Sequence, residues 1–218
     1  LAGKTLLVAA ACMVLPLLVT LLYREDPMPF LSAMGITALA GLLLSLLRAD
    51  TRFNSREGFF SAGLIWLLVG FFGALPFQFS GYFPSFVDCL FESISGFTTT
   101  GASILTAVEP LPKGILFWRS FIHWLGGMGI LVLTIALLPS LGARTLHVMK
   151  AESPGPIISK LVPKSSQSSK ILYGIYFALT VVEFCFLLAG GMNVFDSMLT
   201  AFGTAGTGGF GFKNDSFA

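Results

Sequence analysis

Two stretches of this sequence set hydroxyl groups and bare backbone between apolar runs. The first, "SGFTTTGAS" at residues 95–103, carries Thr98, Thr99 and Thr100, then Gly101 and Ser103. The second, "GTGGFG" at residues 206–211, carries Gly206, Thr207, Gly208 and Gly209. Groups of this kind support two chemistries. Hydroxyl and carbonyl oxygens can line a path for a cation, and a serine with a histidine from another helix can form a nucleophile and its base, which brings in Ser103 with His123. The three cysteines, Cys12, Cys89 and Cys185, have no paired spacing, so they indicate neither a disulfide framework nor a metal site.

The elements that position these stretches are membrane helices. Hydrophobic residues make up 55% of the chain and charged residues only 11%, with the apolar residues in long blocks. A helix crossing about 30 Å of hydrocarbon needs roughly 20 such residues. Spans are predicted at about 5–23, 30–47, 58–79, 114–138 and 171–192. Lys4, Arg48, Arg52, Arg56, Arg144, Lys150, Lys160, Lys164 and Lys170 then fall on one side, and only Arg24, Lys113 and Lys213 on the other. That asymmetry predicts a cytoplasmic N-terminus, and it makes the net charge of +2 a topology signal instead of a nucleic-acid signal.

This topology leaves both ends of residues 80–113 on the outer side, so the amphipathic run "VDCLFESISGF" must dip in and return. Eleven helical residues rise about 16 Å, half a membrane, which would leave the threonines near mid-depth. Non-helical backbone is tolerated there only where it is packed in protein or lines a watery path. The C-terminal end of such a half-helix favours a cation. Shifting the chain by 108 residues lays "DCLFESISGFTTTGAS" over "DSMLTAFGTAGTGGFG" without a gap, matching Asp88 to Asp196, Thr99 to Thr207 and Gly101 to Gly209. The repeating unit is helix, half-helix, loop, helix.

The stretches "FESISGFTTTGAS", "FWRSFIHWLGGMGILVLTIALLP", "KAESPGPIISKLVPK" and "GTAGTGGF", which run from residue 91 to 210, resemble the Trk/Ktr/HKT superfamily of potassium transporters and channels. The two spans before the first repeat are similar to the TrkH-type membrane subunits in particular. The resemblance implies an all-α membrane protein of helix, re-entrant pore half-helix and helix repeats, as in potassium channels, preceded by two extra transmembrane helices. It divides the chain into a two-helix extension at 1–57, a first pore repeat at 58–139, a cytoplasmic linker at 140–170, and a second repeat at 171–218 truncated after its filter. Four repeats around one pore are implied, so the expected protein continues beyond Ala218.

On this resemblance Thr98, Thr99, Thr100, Gly101, Gly206, Thr207, Gly208 and Gly209 contribute to a potassium filter, in which carbonyls and hydroxyls replace the ion's water without a full negative charge. Glycine at position 101 accompanies potassium, and serine sodium, in the plant relatives. No cofactor and no enzymatic activity are implied; potassium is the transported substrate. The implied setting is a prokaryotic cytoplasmic (inner) membrane, with a homodimer and a nucleotide-binding regulatory subunit of the TrkA type as partners. Residues 140–170 fit either docking of that subunit or a solvated linker.

Other residues have their own expectations. Gly126, Gly127 and Gly129 suit a gate hinge or close helix packing, with packing favoured. His123 stands where the family pattern has a polar amide and reads as an interhelical hydrogen-bond partner. Glu92 and Glu183 lie at membrane depth, where a carboxylate needs a partner, and Arg119 can serve either one. Asp88 and Asp196 read as helix caps.

Overall fold

A computed structural model describes residues 2–46, 55–137 and 165–214, and every regular element among them is helical. The first predicted span is α1 (Ala2–Cys12) followed by α2 (Val14–Leu22), and the second is α3 (Met28–Leu46). Then come α4 (Ser55–Gly73), α5 (Leu75–Ser80) and the half-length α6 (Phe86–Phe97). The chain continues through α7 (Lys113–Leu137), α8 (Ser165–Ala189) and a second half-length helix, α9 (Val194–Ala205). Four helices or helix pairs among the described residues are long and apolar enough to cross a membrane: Ala2–Leu22, Met28–Leu46, Phe60–Ser80 and Lys170–Ala189. The linker predicted at 140–170 lies outside the described residues up to 164, and its last six residues begin α8.

Two prolines explain the two breaks. Pro16 has no N–H to give the Cys12 carbonyl and its ring crowds that oxygen, so the first span kinks at Met13. Pro76 does the same to Phe72, and α4 gives way to α5 at Ala74. Hydrogen bonds bridge both kinks, from Leu17 N–H to the Met13 carbonyl at 3.2 Å and from Gln78 N–H to the Ala74 carbonyl at 3.0 Å.

The half-helices begin under matching caps. Ser85 accepts a hydrogen bond from Asp88 N–H at 3.3 Å, and Asn193 from Asp196 N–H at 2.8 Å. The caps are therefore Ser85 and Asn193, and the aspartates expected as caps sit three residues inside, where a carboxylate still faces the positive end of the helix. The α6 helix ends within protein: Ser95, Gly96 and Phe97 are all buried.

The predicted fourth span, α7, is the hub. Residues 114–123 are buried without interruption, as expected of a helix with neighbours on every side. Its faces separate by helical period. Trp118, Ile122 and Gly126 meet the first half-helix: Trp118 lies edge-on to Phe97 at 6.2 Å, Ile122 fills the space beside Gly96, and Gly126 lies against the Phe97 carbonyl. Phe117, Phe121 and Trp124 surround Phe202 of the second half-helix at 5.5 to 5.7 Å between ring centres. A third stripe, Arg119, His123 and Gly127, faces Glu92 of α6 and the loop that follows α9.

The N-terminal pair of helices is fastened to this hub. The Glu25 carboxylate accepts hydrogen bonds from Lys113 N–H at 2.7 Å and Gly114 N–H at 3.0 Å, capping the start of α7 from the turn after α2. Tyr23 meets Phe195 at 5.4 Å beside it, so the end of α2 and the starts of α7 and α9 share one face of the fold, as alternating spans require. Replacing Glu25 with Ala in the complete protein should lower its stability by about 1 to 2 kcal/mol, the usual cost of a lost cap. Thermal denaturation in detergent would measure the loss, and Glu25→Gln, which keeps one acceptor oxygen, should lose less.

Candidate functional site

The two hydroxyl-and-glycine stretches are the loops into which α6 and α9 unwind, and they have the same backbone. After α6, the N–H groups of Thr98, Thr99 and Thr100 bond the carbonyls of Ile94, Gly96 and Ser95 at 2.8, 3.0 and 2.9 Å. After α9, the N–H groups of Gly206, Thr207 and Gly208 bond those of Phe202, Thr204 and Gly203 at 3.0, 2.8 and 3.1 Å, each pair shifted by 108 residues. Thr99 and Thr207 have φ of 55° and 56°, and Gly101 and Gly209 both have 74°. A β-branched residue is rarely found in that region, so two at one register mark a shape imposed by the surroundings.

The loops touch. A Cβ on Gly101 would overlap the Gly208 carbonyl, so only glycine allows this approach. Thr98, Thr100, Thr207 and Gly209 are exposed, whereas Gly206 is buried and Thr99, Gly101 and Gly208 are half-buried. The Thr98 hydroxyl donates to the Ile94 carbonyl at 2.8 Å, which leaves Thr100 to donate across the 2.8 Å between the two hydroxyls. The Ser95 hydroxyl donates to the Ala102 carbonyl at 2.6 Å and draws the returning chain against the helix end. The exposed threonines of these loops, Thr98, Thr100 and Thr207, carry neutral hydroxyl oxygens.

The nearest acid is fully engaged behind the first loop. Glu92 is completely buried and accepts from Ser103 Oγ at 3.0 Å, Ile104 N–H at 3.1 Å and Arg119 Nε at 2.5 Å. A second guanidinium nitrogen of Arg119 donates to the Gly211 carbonyl at 2.6 Å, and the guanidinium lies 3.8 Å from the centre of the Phe210 ring. Arg119 thus ties the first half-helix to the return of the second loop, and Glu92 ties in the return of the first. Of the two acids offered by the sequence, Arg119 takes Glu92, and Glu183 is half-buried on α8. The stripe of Arg119, His123 and Gly127 on a largely apolar helix is the signal that would have placed these residues together.

The same contacts remove the serine–histidine reading. Ser103 Oγ donates to Glu92 and accepts from Leu105 N–H at 3.1 Å, while both ring nitrogens of His123 are buried without a hydrogen-bond partner among the described residues. The expectation that His123 is a satisfied interhelical partner fails for the same reason: its ring lies against the Gly206–Gly209 loop and 4.0 Å from the Phe210 ring. Gly126, Gly127 and Gly129 of α7 each lie in close contact with a neighbouring segment. Gly126 faces the Phe97 carbonyl, Gly127 the Tyr176 hydroxyl and Gly206, and Gly129 the Trp66 ring. The α8 helix is held to α7 by Trp124 Nε1 donating to Thr180 Oγ1 at 3.0 Å and by the Tyr176 hydroxyl donating to the Trp124 carbonyl at 3.1 Å.

Half-length helices that stop inside a bundle of membrane-length helices and pass into turning, glycine-bearing loops define a class of helical membrane proteins with re-entrant loops. The family model for TrkH, a cation transport protein, matches residues 28–218. The Trk system potassium uptake protein TrkH of Halomonas elongata is 41% identical over 213 residues, covering 95% of this chain and 44% of that protein. Its namesake in Escherichia coli strain K12 is 39% identical over 216 residues, with the same shares covered. The crystal structure of the potassium transporter TrkH from Vibrio parahaemolyticus matches with a TM-score of 0.81 at 33% identity, over 98% of this chain and 43% of that one. The chain belongs to the TrkH family of cation transport proteins, and it spans less than half the length of these relatives.

The buried pair should behave as one unit. Arg119→Ala leaves Glu92 charged and unpaired, and Glu92→Gln leaves Arg119 so; each should cost about 3 to 5 kcal/mol. The double variant should cost less than the sum, and a thermal-denaturation double-mutant cycle on the complete protein would read the difference.

Proposed function

We propose that this chain supplies two of the loops of a potassium uptake pore in the cytoplasmic membrane of a prokaryote. The observation that carries this reading is the recurrence of one loop backbone at a shift of 108 residues, with Gly101 of the first loop packed on Gly208 of the second. Repeated loops that present neutral oxygens are what is needed to strip water from a monovalent cation and still release it. The relatives' names, which speak of potassium uptake, support potassium as the substrate.

In this reading residues 1–57 are an extension, 58–139 the first pore repeat, 140–170 a cytoplasmic linker, and 171–218 the start of the second repeat. Thr98, Thr99, Thr100 and Gly101 form one filter strand, and Gly206, Thr207, Gly208 and Gly209 another. The remaining strands come from parts of the whole protein beyond this chain. The N-terminus is cytoplasmic, as the distribution of Lys and Arg favours. A homodimer with a TrkA-type regulatory subunit on the cytoplasmic face completes the assembly, a reading favoured by the relatives' place in a Trk system.

The complete gene should restore growth at low potassium to cells deficient in potassium uptake; failure of the wild type to do so would refute the assignment. Gly101→Ser places a side chain at φ of 74° and against the Gly208 carbonyl. It should lower the preference for potassium over sodium by roughly tenfold, the equivalent of 1.4 kcal/mol. Competition of sodium with rubidium-86 uptake would measure it.

A further inference from the structure

The two loops share a backbone but not a composition. Thr98 and Thr100 correspond to Gly206 and Gly208 under the 108-residue shift, so the second loop lacks two side chains that the first carries. Backbone conformation does not ask for glycine at these places: neither Gly206 nor Gly208 has a positive φ, in contrast to Gly101 and Gly209. The cause lies in α7. The three heavy atoms nearest to a Cβ at Gly208 are all in the imidazole of His123, and a Cβ at Gly206 would meet the His123 carbonyl at 2.6 Å. On its other side, Gly208 presents its carbonyl to Gly101. The imidazole, Gly208 and Gly101 therefore stack in that order.

We propose that His123 is a positioning residue for the second loop: its imidazole fills the space of the side chain that Gly208 lacks and sets the separation of Gly208 from Gly101. The fit is one of shape, because neither ring nitrogen is engaged by any described group. Phe210 flanks the ring on a further side and is itself covered by the Arg119 guanidinium, so the imidazole is confined laterally as well. His123 and Gly208 then form a matched pair, in which the size of one residue dictates the size of the other. The consequence for ion selection rests on the reading of these loops as filter strands.

The test is an exchange of volume in the complete protein. Gly208→Ala should reduce rubidium-86 uptake and the potassium-over-sodium preference by about tenfold or more, as overpacking does. His123→Ala should lower the preference by a similar factor at an unchanged amount of folded protein in the membrane, while His123→Phe, which keeps a ring, should stay near wild type. The double variant Gly208→Ala/His123→Ala should recover most of what Gly208→Ala loses. Gly209→Ala serves as the contrast: its Cβ would meet nothing within 4 Å and its φ is 74°, so its defect comes from the backbone and His123→Ala should not relieve it.

Losses that simply add in the double variant would overturn the pairing, as would relief of Gly209→Ala to the same degree. Unchanged selectivity in His123→Ala, or a loss in His123→Phe equal to that in His123→Ala, would overturn the positioning role. Thermal denaturation of the same set should show the same non-additivity. That readout stands whether or not the wild type carries potassium, which keeps failure of the pair distinct from failure of the transport reading.

Discussion

A guanidinium inside a membrane bundle must be answered by acceptors, since hydration is out of reach and an unanswered charge costs several kcal/mol. Arg119 meets this demand with the Glu92 carboxylate, the Gly211 carbonyl and the face of Phe210. These acceptors come from two segments: Glu92 from the first half-helix, and Phe210 and Gly211 from the second loop. The Glu92 oxygens in turn hold Ser103 and Ile104 on the return of the first loop. Replacing the pair with apolar residues would often be neutral for stability alone. Its contribution here is register: a one-residue slip of α7 would turn Arg119 roughly 100° away and strand both charges.

The same helix serves both repeats because its period presents three unlike faces. One tapers from Trp118 through Ile122 to Gly126 where it receives α6, one is aromatic where it grips Phe202, and one runs from Arg119 through His123 to Gly127. Two of these faces end in a glycine, Gly126 on the first and Gly127 on the third. Gly126 and Gly127 let the backbone of α7 approach Phe97 and Gly206, a use of small residues common where helices pack without a hydrophobic drive between them. A shared wall of this kind makes the loops unequal. The second, which meets His123 of α7, has glycine at 206 and 208 and keeps only Thr207, whereas the first has three threonines.

Much of this architecture was legible in the amino-acid sequence, and the rest was not, for physical reasons. Span positions follow from composition, because hydrocarbon tolerates little else. The loop register followed from aligning Asp88 with Asp196, since positions that share a backbone conformation keep their spacing even where side chains diverge. The partner of Arg119 could not be read, because choosing Glu92 over Glu183 depends on the depth and rotation of three helices. Ser85 was overlooked as a cap because a residue with an extended backbone looks like loop until the helix start is known. His123 departs from expectation because a polar residue in a span usually finds a hydrogen-bond partner, whereas its ring nitrogens have none among the described residues and its ring packs on Gly208.

Thr99 and Thr207 hold the left-handed conformation that their branched side chains resist, at a cost of about 1 to 3 kcal/mol each. A glycine there would rest in that conformation and in several others with equal ease. A threonine prefers the extended and right-handed regions, and the hydrogen bonds and packing around each loop hold it outside both. Each loop accordingly keeps its shape against the preference of its own threonine, so that shape belongs to the surrounding fold and not to the loop sequence taken alone.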